Sequence, residues 1–379
     1  GIPGVEYGDL TSGLVKIQRG RGGHNLRARF KADMESKLLH VSKGFEWDGQ
    51  RWTLNLSADW LNAKGDPRNV LETYQRLTFS VRGGHRWQTV RRQWDATLNM
   101  DYSGSFDDDK TDPELNYGGV DAYRSDRNRW AANFTLRQTS KHNTDWWRSA
   151  EFLASVNFEK DMLDRQRLVQ IDHGQPAAVT KKEGESQAVL IYPYKYTGRH
   201  RVDGRPLGIF MKAQADFSIP SSWMSNKLKV GTDWQLDKNL GKGQLFDPMF
   251  PLYTGISTRQ RKYSDVPAEV QQSNFAEADI TLPFGNQQLQ LVAGLRSSMM
   301  MSLSNRYDLH GKVYLDPRVN VGWNLPPIGA GYSALNLQLR GGWGKHTKMP
   351  TIDQLFPELL YIDMVEMNYW HAKRELRSV

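Results

Sequence analysis

The chain has no cysteine, so disulfides, thiolate metal sites and thiol nucleophiles are all excluded. It has no apolar run near the roughly 18 residues that a membrane-crossing helix needs, and its mean hydropathy is −0.65. That excludes helical membrane proteins and nothing more, because a transmembrane β-strand keeps half its residues polar and gives a weak hydropathy signal. Charge of one sign is also scarce. Against 50 Lys and Arg stand 42 Asp and Glu, and a formal excess of +8 spread over 379 residues does not call for nucleic acid. Catalytic signatures are missing too: there is no Gly-x-Ser-x-Gly elbow and no His-Glu-x-x-His. Gly341, Gly342, Gly344 and Lys345 lack the spacing, and the Ser or Thr after Lys, of a phosphate-binding loop. No enzyme activity, cofactor or resident metal is expected. Finally, the sequence opens at Gly1 without Met or signal peptide, so a fragment or a processed chain is expected.

What is present is a period of two. In Lys227 to Asp237, the residues Leu228, Val230, Thr232, Trp234 and Leu236 are apolar or β-branched, while those between them are Lys, Gly, Asp and Gln. Successive side chains of a strand point to opposite faces, so this segment makes one oily and one wet face as a strand and cannot make a helical stripe. The same alternation recurs at Trp52 to Trp60, Trp94 to Tyr102, Trp130 to Leu136, Phe152 to Phe158 and Ile209 to Phe217. It returns at Ala276 to Leu282, Leu289 to Arg296, Leu315 to Trp323 and Leu335 to Trp343. With weaker runs at Leu26 to Ala32, Leu38 to Trp47 and Leu77 to Arg82, about thirteen strands are predicted.

Short and long joins alternate between them. Those near Asp48 to Arg51, Gln88 to Arg91, Pro220 to Asn226 and Pro283 to Gln288 are short. Those near Ser103 to Asp126, Met162 to Arg205 and Gly241 to Gln272 are long. An antiparallel up-and-down meander with one tight rim and one extended rim gives this pattern, whereas Greek-key crossings scatter loop lengths. Aromatics such as Trp47, Trp52, Trp87, Trp94, Tyr102, Trp130, Trp147, Trp323 and Trp343 stand at strand ends, where a membrane boundary suits a ring with a polar tip. Strand propensity alone also favours aromatics. Alternation by itself leaves open whether the oily side points in or out. An inward core would need a cover that this nearly helix-free sequence does not supply. Facing lipid, the strands satisfy one another's backbones, and Arg82, Arg137, Glu159, Asp233, Glu277, Asp279, Arg296, Arg318 and Arg340 line an interior.

Several stretches carry a resemblance. Val5 to Gly20 resembles the closing strand of the plug in TonB-dependent outer-membrane receptors, with Glu6, Tyr7 and Gly8 ahead of a small-residue turn and a Val15-x-Ile17 strand. Asn239 to Pro248, Leu315 to Trp323 and Leu339 to Tyr361 resemble barrel segments of the branch that carries a carboxypeptidase-regulatory-like domain ahead of the plug. The resemblance implies an all-β fold, an antiparallel up-and-down transmembrane β-barrel of 22 strands, in the bacterial outer membrane. Residues 1–20 would end the plug and 21–379 would form part of the barrel, the rest lying beyond both ends, so an open, curved sheet is expected. It also implies import of a scarce nutrient, with TonB engaged through an upstream segment, outer-membrane lipid around the wall and a surface lipoprotein as a candidate partner. A passive porin or surface-binding barrel is the alternative.

The long stretch Met162 to Arg205 contains Tyr192, Tyr194 and Tyr196 among Lys and Arg, and aromatic, basic loops can stack on sugars or pair with acidic groups. These three tyrosines are the candidate ligand-binding residues. Asp107, Asp108, Asp109, Asp112 and Glu114 lack regular Ca²⁺-loop spacing and read as a solvated loop. His142, with Trp146 and Trp147 nearby, reads as a turn.

Overall fold

The computed structural model describes residues 2–8, 20–112, 114, 121–142, 145–175, 184–185, 191–219, 221–254, 259–326, 335, 337–359 and 370–371, with 184–185 and 370–371 as backbone alone. The predicted strand Val15 to Ile17 lies outside the described residues. Strands β1 (Leu26–Ala32), β2 (Ser36–Trp47), β3 (Trp52–Ala63), β4 (Glu72–Gln88), β5 (Arg92–Asp109), β6 (Ala122–Ser140) and β7 (Trp147–Gln170) pair in chain order. A two-residue β8 (Gly184–Glu185) follows. Then β9 (Lys195–Gly204) and β10 (Pro206–Phe217) run end to end beside β7, and β11 (Ser225–Asn239) and β12 (Gly243–Phe246) run back beside them. β13 (Glu269–Phe284), β14 (Gln287–Met300), β15 (Tyr314–Asn324) and β16 (Gln338–Gly344) complete the main sheet, and β17 (Trp370–His371) pairs with β8. The path from β1 to β16 is thirteen strands, all antiparallel. It is open, because β1 pairs only with β2 and β16 only with β15 among the described residues.

The direction of the oily face follows from burial. Leu228 and Trp234 are 45% and 41% exposed, whereas Asp233 between them is 6% exposed, so the apolar side of β11 is the outer skin. Leu98, Met100, Phe134, Val156, Met211 and Leu291 are exposed in the same way. A water-soluble sheet would leave that surface as a large unpaired apolar patch; in a bilayer it meets hydrocarbon.

Aromatic rows bound this band. Phe79, Tyr102, Trp130 and Phe158 are cross-strand neighbours on β4 to β7, with successive ring centroids 6.3, 5.6 and 5.7 Å apart. Near the tight turns a second row contains Trp52 on His85 (3.6 Å), His85 by Trp87 (5.1 Å) and Trp87 parallel to Trp94 (5.7 Å), and Trp146 stacks on Phe217 (5.3 Å). From Trp94 to Tyr102, β5 rises about 26 Å at roughly 3.3 Å per residue, the reach of a tilted transmembrane strand.

The long joins are shorter than the sequence suggests. β5 runs to Asp109, β6 begins at Ala122 and β7 runs on to Gln170, so much of Ser103 to Asp126 and of Met162 to Arg205 is strand. Beyond the outer aromatic row both faces meet water, so the alternation fades while the backbone ladder continues. The acidic residues Asp107, Asp108 and Asp109 therefore end a strand and alternate faces, rather than sharing a loop.

Candidate functional site

The inner face of β10 to β16 is built from the wet positions of the alternation, and residues 2–8 are seated on it. Val5 is fully buried there, its amide donating to Glu277 Oε2 (2.9 Å). The backbone of Ile2 exchanges two hydrogen bonds with the Asn320 amide (2.9 and 3.0 Å). Glycine makes the approach possible: a Cβ on Gly294 would stand 2.6 Å from the Val5 side chain. Glu6 bridges to Lys229 (2.8 Å) and Lys212 (3.4 Å). Burial raises the Glu6 carboxyl's pKa, but these two ammonium groups outweigh it and hold the group below its ordinary value.

Two arginines hold the segment from beneath. Arg296 pairs with Asp233 (2.8 Å), both almost completely buried, and reaches the Val5 carbonyl at 3.3 Å. Arg318 is 2% exposed, and its NH1 donates among the carbonyls of Pro3 (3.2 Å), Gly4 (2.8 Å) and Tyr7 (2.9 Å), while NH2 meets His346 Nδ1 at 3.1 Å. A buried guanidinium calls for acceptors, and one loop of backbone carbonyls supplies them to NH1, while Nε is left without a hydrogen-bond partner.

Residues 20–24 occupy the same face farther along the sheet. Arg21 forks onto Asp95 (2.5 and 2.7 Å), the Gly22 backbone exchanges two 2.8 Å bonds with Asn55, and the Gly23 amide donates to Glu46. Gly44 leaves room for the Gly22 carbonyl, which a Cβ would strike. Beside this contact lies an open polar hollow of about 340 Å³, with Asn55, Arg82, Asn99, Asp101, Asn133 and Thr135 on its wall.

The candidate tyrosines stand at the outer end of β7 and β9. Tyr192 and Tyr196 pack with Val169, Ile171 and Met249 and are 4% and 7% exposed, whereas Tyr194 is 62% exposed. Burial pushes the Tyr196 hydroxyl up to about 12, with Tyr192 adding to the shift. Burial also lowers the pKa of His200, on β9 beside Phe246. The structure therefore brings two of the three rings together as a small core and leaves the third on the surface. Nearby, Asp164 accepts from Arg199 (2.9 and 2.5 Å) and Arg201 (3.1 Å). His142 lies in the turn between β6 and β7, as expected. Among the described residues no group of three His, Asp or Glu side chains is placed to hold a metal.

Sequence reasoning placed Arg318 and Arg296 on the interior but missed what they hold, since their partners lie about three hundred residues away along the chain. It also missed α1 (Ile352–Leu355), whose signal was legible as Thr351 and Gln354 in capping-box spacing. Leu355 packs there with Met300, Leu303 and Met349.

Comparison with known proteins gives one family, described as TonB dependent receptor-like, beta-barrel, over residues 41–363. No curated protein matches the chain. An antiparallel wall, oily outside and polar inside, fits part of that family's barrel. With most of its length matched, the chain belongs to the TonB-dependent receptor β-barrel family and is part of a bacterial outer-membrane receptor or transporter, a family that works with TonB in a lipid surround.

Proposed function

We propose that the protein imports a scarce nutrient, a siderophore, vitamin, glycan or peptide, with TonB supplying the energy. In this reading residues 1–20 end the plug and residues 21–379 form part of the barrel wall. The observation that carries it is the seating of residues 2–8 on the polar inner face by Arg318, Arg296 and Glu277. A passive pore gains nothing from a peptide bound across its lining, whereas a gated transporter needs a segment that is held in place and can be released. Tyr194, exposed and propped by the packed Tyr192 and Tyr196, is the ring offered to ligand. The exposed Ile191, Phe250 and Tyr253 at the same outer tip suit a surface lipoprotein.

The test is growth of strains with and without the receptor, and with and without TonB, on ferric siderophore, cobalamin, oligosaccharide or peptide as the limiting nutrient. Growth on one class should be lost in both deletions. Growth that needs the receptor but not TonB would replace this reading with the passive pore.

A further inference from the structure

We propose that Arg318 is a positioning residue that couples the outer segment 345–350 to the inner-face segment 2–8, so that displacing the first loosens the second. The functional consequence rests on the reading of residues 1–20 as plug; the coupling itself rests on geometry alone.

Arg318 touches both segments through one guanidinium. NH1 is divided among three carbonyls of residues 3–7, and NH2 meets His346 Nδ1. Arginine has no acceptor, so Nδ1 must accept, which fixes His346 as neutral imidazole with its proton on Nε2. The outer segment is tied to the same strand: the Lys345 amide donates to the Pro317 carbonyl (2.9 Å), and Thr347 donates its amide (3.0 Å) and hydroxyl (2.7 Å) to Asp316. Two residues later Met349 enters the packed cluster of Met300, Leu303 and Leu355 at the outer rim, where Tyr307 Oη donates to the Leu355 carbonyl (3.0 Å). Force applied to that cluster reaches His346 through three residues of chain. Arg318 is buried and its Nε already lacks a hydrogen-bond partner, so when NH2 loses the imidazole the guanidinium turns toward the exposed His346 position, where water supplies the missing acceptor. NH1 turns with it, so the carbonyls of Pro3, Gly4 and Tyr7 lose their donor together. Arg296 instead spends NH1 and NH2 on Asp233 and the Val5 carbonyl, and none of its described hydrogen bonds reaches the outer segment.

The test is hydrogen exchange at the Val5 and Tyr7 amides of the full receptor in detergent, with Thr347→Ala, His346→Ala and His346→Asn. Neither Thr347 nor His346 hydrogen-bonds to residues 2–8. Thr347→Ala and His346→Ala should each speed exchange about fivefold, the low end of measured couplings between sites. His346→Asn, whose amide oxygen can accept in place of Nδ1, should restore protection. In an Arg318→Lys background the first two changes should add nothing, while Lys229→Ala, which removes a separate anchor on Glu6, should still add its own effect. Unchanged exchange in both alanine variants overturns the proposal, as does an undiminished rise in the Arg318→Lys background. Should Arg318→Lys fail to fold, the contrast between His346→Ala and His346→Asn decides alone: restoration supports the coupling and equal exchange sinks it. Exchange is read whether or not the receptor transports, so failure here and failure of the growth test are separable.

Discussion

The wall has two storeys built on one ladder. Below the row Phe79, Tyr102, Trp130 and Phe158, β5 to β7 alternate apolar and polar side chains; above it the same strands keep pairing but show charge on the outward side, as at Arg124, Lys160 and Asp164. Register continues without a break from Gln93 with Thr139 to Asp109 with Tyr123. The backbone does not distinguish the storeys; the surroundings do. Period two in a sequence therefore reports two different solvents on the two faces, and it stops where both faces meet water.

The same contrast sets the worth of an ion pair. Arg296 and Asp233 are 5% and 8% exposed on the inner face, whereas Arg199 and Asp164 in the upper storey are 50% and 32% exposed. Removing one partner of the buried pair should have the largest effect. Asp233→Ala leaves a buried guanidinium uncompensated and should cost about 3–5 kcal/mol in unfolding free energy measured by denaturant titration in lipid vesicles. A loss below about 1 kcal/mol would mean that water reaches Arg296 and that the inner face is not sealed by residues 2–8.

Next in size is a single substitution placed in each storey. Leu98 and Phe106 lie on the outward face of β5, eight residues apart, and are almost equally exposed, at 41% and 40%. Exposure alone does not tell them apart, but lipid does. Leu98→Arg near mid-band should cost about 2–4 kcal/mol in vesicles. Phe106→Arg, opposite Asp126 and above the aromatic row, should stay near the ~0.5 kcal/mol of an ordinary surface change. Equal costs would move the boundary away from Tyr102 and Trp130.

How much of this was legible follows from the same physics. Leu98, Phe134, Val156 and Met211 were readable as strand and as one face because hydrocarbon on one side enforces apolar side chains there. The outer end of β7, from Met162 to Gln170, was read as loop because nothing there enforces a pattern. Arg318 was readable as inward-facing, but its partners at Pro3, Gly4 and Tyr7 are backbone carbonyls, which leave no trace in side-chain identity. Tyr192, Tyr194 and Tyr196 look equivalent at a spacing of two. They part because Tyr194 lies in the bend that enters β9, its carbonyl tied to the Ile171 amide (3.0 Å), while Tyr192 and Tyr196 meet Val169 and Met249.

The aromatic boundary itself is a smaller term. Trp130 touches Tyr102 and Phe158, so Trp130→Leu keeps an apolar side chain and removes two ring pairs. Each such pair is worth about 0.5–1.5 kcal/mol beyond its area, and the loss should be larger in a bilayer than in detergent because the indole also anchors at the headgroup level. Equal losses in the two media would leave Trp130 a packing residue without a boundary role.

The smallest effect belongs to Asp164. The hydrogen bond from Arg199 lowers its pKa most, burial opposes this, and the charges of Arg199 and Arg201 add to the lowering. A carboxyl whose folded pKa lies below its unfolded value of about 3.9 stabilises the fold above that pH and loses this contribution as the pH falls through the folded value. With Asp164 about a third exposed, solvent screening limits the pair to about 1 kcal/mol at most. The stability difference between wild type and Asp164→Asn should therefore be small at pH 7, shrink in added salt and close in acid below the folded pKa. A loss matching that of Asp233→Ala would show Asp164 to be as secluded as the inner face, and the upper storey would then be a packed domain rather than a strand extension standing in water.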